Sequence, residues 1–108
     1  MTLSVTEIIE KQIAENPVIL YMKGTPEAPE CGFSANAVKA LKSTGAEFAF
    51  VNVLKAPSIR ERLPSISHWP TFPQLFVNGE LIGGSDIVVA MVTDGSLQPI
   101  LAAAAEKA

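Results

Sequence analysis

Cys31, the single cysteine of the chain, lies in the stretch PECGFSAN between turn-forming residues and a segment whose apolar residues recur at helical spacing. This pattern predicts a helix that begins at or just after the thiol. The first backbone N–H groups of a helix lack intrahelical acceptors and favour an anion, so they would stabilise a thiolate. Lys23, at the end of a predicted strand, would add a positive charge. We therefore expect a thiol pKa below its ordinary value, and a reactive thiol or a metal ligand.

A lone thiol limits the chemistry that the chain can perform by itself. The alternative, that Cys31 is only a small buried apolar residue, is disfavoured by the polar, proline-rich residues before it. Ser34 stands where a C-x-x-C motif has its second cysteine, which excludes exchange between two thiols of one chain. One Cys and one His cannot complete a structural zinc site, and His68 is interpreted as a polar residue at a helix end. A homodimer meeting at Cys31, with two molecules of a cytosolic thiol, would supply the four thiolates of an iron–sulfur cluster; the ligand count permits this arrangement without requiring it.

The composition narrows the class of protein. A chain of 108 residues with 48% hydrophobic residues and a net charge of -3 predicts one globular domain. It has no apolar run long enough for a membrane span and no basic cluster, so neither a membrane nor a nucleic acid is expected as a partner. The N-terminus lacks the features of a secretion signal. We expect a reducing compartment such as the cytoplasm, or an organelle matrix if a transit segment has been removed.

Periodicity and turn residues predict the element order α-β-α-β-α-β-β-α-α. The spacing Ser4-x-x-Glu7 is a capping box that begins the first helix, and Asn16–Pro17 ends it. The apolar, β-branched run Val18–Met22 predicts a parallel central strand that is buried on both faces. The helix after Cys31 is expected to end at Thr44–Gly45.

The second half of the chain predicts a different arrangement of strands. A second strand is expected over Phe48–Val53, followed by a helix that begins at Ser58-x-x-Glu61 and is kinked at Pro64. Asn78–Gly79 between two short apolar runs is a strong hairpin signal, and it joins predicted strands over 74–77 and 80–83.

Two last helices are expected to be separated by Asp94, Gly95 and Ser96, and Ser85–Asp86 are expected to cap the first of them. The predicted fold is α/β, with a mixed four-stranded sheet flanked by helices in the thioredoxin-like arrangement.

Five blocks of residues together match one protein family in order and spacing. They are Lys23–Pro26 (KGTP), Cys31–Ser34 (CGFS), Trp69–Leu75 (WPTFPQL), Asn78–Gly79 and Gly83–Asp86 (GGSD). Through them the chain resembles the CGFS-type monothiol glutaredoxins in their single-domain form, over essentially its whole length, so residues 1–108 are expected to form one glutaredoxin domain. The resemblance implies glutathione binding and a 2Fe-2S cluster that bridges two protomers through each active-site cysteine and two glutathione thiolates.

The resemblance also implies roles for individual residues. Cys31 would be the reactive residue and cluster ligand, and the glutathione site would be formed by Lys23, Arg60, Phe72, Gly84, Ser85 and Asp86. The two cations would pair with the glycine carboxylate, the Phe72 backbone before a cis Pro73 would bond the peptide, and the last three residues would hold the γ-glutamyl end.

Each of these residues also has an ordinary structural interpretation. The cations could be solvated surface charges, and Ser85–Asp86 a helix cap alone. Phe33 and Trp69 are interpreted as packing residues rather than a recognition surface.

Three functions follow as hypotheses. The first is a carrier that transfers the cluster to apo-proteins. The second is an enzyme in which Cys31 attacks protein–glutathione disulfides and free glutathione resolves the product; a loop over 25–30 that is longer than in dithiol relatives, by resemblance, argues against efficient turnover. The third is a regulatory module that forms a cluster-bridged heterodimer with a BolA-like protein.

Overall fold

The structure is a computed structural model that describes residues 3–106. Helices and strands alternate through the first half of the chain and a hairpin with two helices completes it. The elements are α1 (Val5–Glu15), β1 (Val18–Met22), β2 (Gly24–Thr25), β3 (Ala28–Pro29), α2 (Gly32–Ser43), β4 (Ala49–Asn52), α3 (Pro57–Ser67), β5 (Gln74–Val77), β6 (Glu80–Gly83), α4 (Ser85–Thr93) and α5 (Leu97–Glu106).

The four-stranded sheet has the order β4-β1-β5-β6, with β1 in its centre. β1 runs parallel to β4, with Leu20 opposite Phe50, and antiparallel to β5, with Leu20 opposite Leu75. All five residues of β1 are buried, as its continuous apolar sequence predicts. Asn78 and Gly79, with φ of 51° and 81°, form the turn of the β5–β6 hairpin. The predicted mixed sheet and its central parallel strand are confirmed.

Helices cover both faces of the sheet and create two cores. Alternate residues of β1 point in opposite directions: Leu20 joins a cluster with α2, α4 and α5, whereas Ile19 and Tyr21 join a cluster with α1 and α3. Each fully buried large apolar side chain stabilises the fold by about 1.5–3 kcal/mol. The Tyr21 ring packs edge-to-face on Phe76 at 5.8 Å, and its hydroxyl donates to Gln12 Oε1 at 2.8 Å.

The predicted start of the first helix is confirmed, and the predicted start of the third is wrong. At α1, Glu7 N–H donates to Ser4 Oγ and Ser4 N–H to Glu7 Oε1, both at 3.1 Å, which completes the capping box. α3 begins at Pro57 after Ala56, and no side-chain hydrogen bond caps it. Proline suits the first helical position because its φ is fixed and its missing N–H would have no partner there. The helix continues through Pro64 to residue 67.

The last helices differ in detail from the prediction. Gly84, in an extended conformation, is the N-cap of α4, so Ser85 and Asp86 belong to its first turn and neither supplies a side-chain cap. The predicted break is confirmed: Asp94 Oδ1 accepts from Ser96 N–H at 2.8 Å between α4 and α5. No single helix among residues 3–106 is long and apolar enough to cross a membrane; α4 and α5 together meet the length and composition requirement, but they are bent by 96° at their junction.

The small ladder between β2 and β3 was not predicted from the sequence. It pairs Gly24 with Pro29 and Thr25 with Ala28, directly before the cysteine. Gly24 has a φ of 94°, and a Cβ there would lie 2.6 Å from both the Ala28 carbonyl oxygen and the Glu30 nitrogen. Glycine is therefore required for this close approach of two backbone segments.

Candidate active-site groove

The thiol of Cys31 lies at the N-terminus of α2. Cys31 is the N-cap residue, extended at φ -157° and ψ 144°, and its Sγ accepts the Ser34 N–H at 3.5 Å. The helix thus begins at the residue after the thiol, as predicted. Cys31 is partly exposed, so the sulfur is accessible to another molecule.

The surroundings of Cys31 favour its ionised form. Partial burial raises the pKa of the thiol, but hydrogen bonds from Ser34 and from the Phe33 backbone, with the positive charge of Lys23, outweigh it and lower the pKa. This confirms the expected direction of the shift. The thiolate is the form that attacks disulfides and ligates metals.

The structure brings all the predicted site residues to one groove of about 670 Å³. Lys23 follows β1, Arg60 comes from the first turns of α3, and Phe72 precedes β5. The remaining residues come from α2 and from the β6–α4 junction. The predicted residues that line the groove are Lys23, Cys31, Arg60, Phe72, Gly84, Ser85 and Asp86.

Lys23 and Arg60 place two positive side chains on this groove. Among residues 3–106, the hydrogen bonds of these two residues are made by their backbone atoms. Lys23 N–H donates to Ser34 Oγ at 3.0 Å, and the Lys23 carbonyl accepts from Glu30 N–H at 2.9 Å. Arg60 N–H donates to the Ala56 carbonyl at 3.0 Å. The ammonium and guanidinium groups are therefore available to an anionic ligand.

The N-terminus of α4 forms another polar part of the groove. Ser85 is 6% exposed, and its buried Oγ has no hydrogen-bond partner among residues 3–106. Asp86 is exposed in the first turn of the same helix. A helix N-terminus favours a carboxylate, and a nearby acidic side chain favours an ammonium, so this region can hold a group that carries both charges.

Phe72 lines the groove, and its side chain is buried in the core cluster with α1 and α3. The Phe72–Pro73 peptide bond is cis, and the ladder with β1 starts two residues later, at Gln74. The buried Gln74 side chain donates to the carbonyls of Trp69 and Thr71, at 2.9 and 3.1 Å, and so fixes the loop before β5. This positioning role was missed, although a glutamine in an otherwise apolar strand was a signal for it.

The interpretation of Phe33 as a packing residue is wrong. Its side chain is 61% exposed, and with the half-buried Trp69 it lines the groove. The interpretation relied on the usual burial of aromatic side chains, but Phe33 lies at the exposed start of α2, close to the N-cap Cys31. A Cβ on Gly84 would lie 3.1 Å from Trp69 Nε1, so glycine lets the indole approach the groove wall. His68 ends α3 in a left-handed conformation, as its interpretation as a helix-end residue predicts.

The fold and the site define a class: a thioredoxin-like protein with one activated thiol at a helix N-terminus. A profile of the glutaredoxin family matches residues 18–82. Glutaredoxin 4 of Escherichia coli strain K12 is 55% identical over 101 residues, which cover 94% of this chain and 88% of that protein. Glutaredoxin 4 of Pasteurella multocida is 54% identical over 99 residues, with coverage of 92% and 91%. The solution structure of reduced poplar apo GrxS14 has a TM-score of 0.80 at 42% identity and covers 94% of this chain and 93% of that one.

The chain belongs to the glutaredoxin family. Its only cysteine, in the sequence CGFS, makes it a monothiol member.

Proposed function

We propose that this glutaredoxin carries a 2Fe-2S cluster, held at a homodimer interface by Cys31 of each protomer and two glutathione thiols, and transfers it to apo-proteins. The observation that carries the proposal is one partly exposed, activated thiol in a groove with both cationic and helix-terminal polar surfaces. The cluster is the cargo, and the residues of the chain bind glutathione and provide one thiolate. Residues 1–108 act as one glutaredoxin domain in this proposal.

Glutathione fits the charges of the groove. Lys23 and Arg60 would bind its glycine carboxylate, and the Phe72 backbone would bond a peptide group. The first turn of α4 would hold the γ-glutamyl carboxylate, with Asp86 near the ammonium. The unpartnered Ser85 hydroxyl supports a polar ligand at this position, because a buried hydroxyl gains free energy from a partner.

The supply of ligands supports a shared cluster. Among residues 3–106 no three His, Cys, Asp or Glu side chains are grouped to hold a metal ion, and an iron–sulfur cluster of this type takes four ligands. Two protomers and two glutathione molecules provide four thiolates. The exposed Phe33 ring beside Cys31 offers apolar surface to a second protomer, or to a BolA-like protein in a mixed complex. A lone reduced thiol fits a reducing compartment such as the cytoplasm.

Anaerobic reconstitution with iron and sulfide, with and without glutathione, tests this proposal. We expect a brown dimer with two irons and two glutathione molecules in the presence of glutathione, and none in its absence. Visible absorption and native mass, measured on the same samples, report the cluster and its stoichiometry. A colourless monomer under both conditions would contradict the carrier function.

The lowered thiol pKa also favours a second function, glutathione-dependent disulfide exchange. The Cys31 thiolate would attack the glutathione sulfur of a protein–glutathione disulfide, forming a mixed disulfide and releasing the protein thiolate. A glutathione thiolate would then attack this mixed disulfide, restoring Cys31 and giving glutathione disulfide. Turnover by a protein that fails to bind a cluster would favour this function over the carrier.

The two arginines of α3 provide a matched test of the glutathione site. Arg60 and Arg62 are both exposed, but only Arg60 lines the groove. We expect Arg60→Ala to raise the glutathione concentration needed for half-maximal cluster formation by about threefold to tenfold, because one charged contact with a carboxylate is lost. Arg62→Ala removes the same charge from the same helix and should leave that concentration unchanged. Equal effects of the two changes would indicate that only net charge matters.

A further inference from the structure

Asn52, at the end of β4, forms side-chain hydrogen bonds to two backbone N–H groups, one of them next to the groove residue Lys23. Its Oδ1 accepts from the Gly24 N–H at 3.0 Å and from the Leu54 N–H at 3.1 Å. The residue is half-buried and does not line the groove. Its side chain therefore bonds the residue that follows Lys23 in the chain, without contacting a ligand in that groove.

The backbone at Lys23 needs such support because the sheet ends there. The β1–β4 ladder stops at the pair Met22 and Asn52, with Val53 N–H donating to the Met22 carbonyl at 2.9 Å. Beyond it, the Lys23 N–H is held by the fully buried Ser34, and the Gly24 N–H by Asn52. Two side chains thus fix the backbone on both sides of the Lys23 side chain.

The position of the Lys23 backbone determines where its ammonium group can bind a ligand. A lysine stem is flexible, so the region that its ammonium can reach depends on where the backbone holds its Cα. Gly24 at a φ of 94° has no Cβ to restrict its own rotation. Removal of the Asn52 oxygen would leave the Gly24 N–H without its acceptor and loosen the backbone on one side of Lys23.

We propose that Asn52 is a positioning residue: by holding the Gly24 amide it places the Lys23 ammonium to bind the terminal carboxylate of the thiol ligand. The identity of that ligand as glutathione rests on the proposed function. Asn52 acts only through Lys23, so its removal should matter only for ligands whose carboxylate Lys23 reaches.

The test compares the affinities of the apo-protein for glutathione and for the glutathione derivative whose glycine carboxylate is converted to the amide, which keeps every other group and removes only the terminal negative charge. In the wild-type protein we expect glutathione to bind more tightly. Asn52→Ala should reduce this preference by about fivefold, the equivalent of one neutral hydrogen bond. It should have little further effect in a protein that already carries Lys23→Ala, because the two residues act in one chain of contacts. Asn52→Asp keeps an acceptor oxygen and should restore the preference.

Two further measurements distinguish a positioning role of Asn52 from a general loss of stability: hydrogen exchange of the Gly24 amide, and substitution of an asparagine far from the groove. Exchange of the Gly24 amide should be faster in Asn52→Ala and protected again in Asn52→Asp. Asn16 donates from Nδ2 to the Gln12 carbonyl at 2.8 Å, and Asn16→Ala should leave both the ligand preference and Gly24 exchange unchanged.

Two results would overturn the inference in different ways. In the first, the ligand preference depends on Lys23 but is unchanged in Asn52→Ala, or Asn52→Ala reduces it equally with and without Lys23. Either finding would refute the positioning role and leave the proposed glutathione site intact. Equal binding of the two ligands by the wild-type protein would refute the assignment of the carboxylate to Lys23 and the inference with it.

Discussion

Cys31→Ser will abolish cluster binding while leaving the fold intact. Cys31 is the only thiol of the chain, and serine does not supply the thiolate that such clusters require. The residue is partly exposed and is not part of either core, so the change creates no cavity. Serine is also a favourable N-cap residue, and its hydroxyl can accept a first-turn N–H as Sγ does in the structure. We expect no bound iron or sulfide after reconstitution, with a thermal midpoint close to that of the wild-type protein.

The two measurements must be made on the same preparation. Iron and acid-labile sulfide report the cluster, and circular dichroism during heating reports the fold. Wild-type protein reconstituted with and without glutathione provides the positive and negative controls. If the serine protein retained two irons per dimer, the cluster would be held by other residues and the proposed site would be wrong.

Much of the fold was predictable because its signals are local. The buried β-branched run of β1, the Asn78–Gly79 turn and the capping box at Ser4 each determine the backbone within a few residues. The start of α3 was predicted wrongly because two local signals competed, and Pro57 prevailed over the Ser58 spacing. The β2–β3 ladder depends instead on contacts between separate segments, such as Glu30 N–H to the Lys23 carbonyl.

The residues of the candidate site also differ in whether local sequence signals could identify them. Cys31 and Lys23 could be identified by chemistry, because a helix start and a nearby cation both favour the thiolate form of a cysteine. Arg60 could not be distinguished from Arg62 without the family resemblance, since both are exposed cations two residues apart. Asn52 could not be found at all: its bond to Gly24 spans 28 residues and depends on the completed sheet.

Gly24→Ala tests how strongly this long-range arrangement supports the site. An alanine Cβ would lie 2.6 Å from the Ala28 carbonyl oxygen and the Glu30 nitrogen, both backbone atoms that cannot rotate away, and its φ of 94° is strained for any L-residue. Positive φ costs about 1–3 kcal/mol, and the overlap adds about 1–3 kcal/mol. We expect the free energy of unfolding, from urea denaturation, to fall by about 3 kcal/mol or more, together with weaker glutathione binding.

Gly45→Ala is the matched control for that experiment. Gly45 also has a positive φ, 77°, but an added Cβ would meet nothing within 4 Å. Gly45 lies after the C-terminus of α2 and outside the groove lining. Gly45→Ala should therefore lower the free energy of unfolding only by the same cost of a positive φ, about 1–3 kcal/mol, and should leave glutathione binding unchanged. The difference between the two variants therefore measures the contact between β2 and the segment before Cys31. Equal losses of stability, with equal glutathione binding, would mean that this segment moves aside easily and that the close approach of the two backbones does not hold the thiol in place.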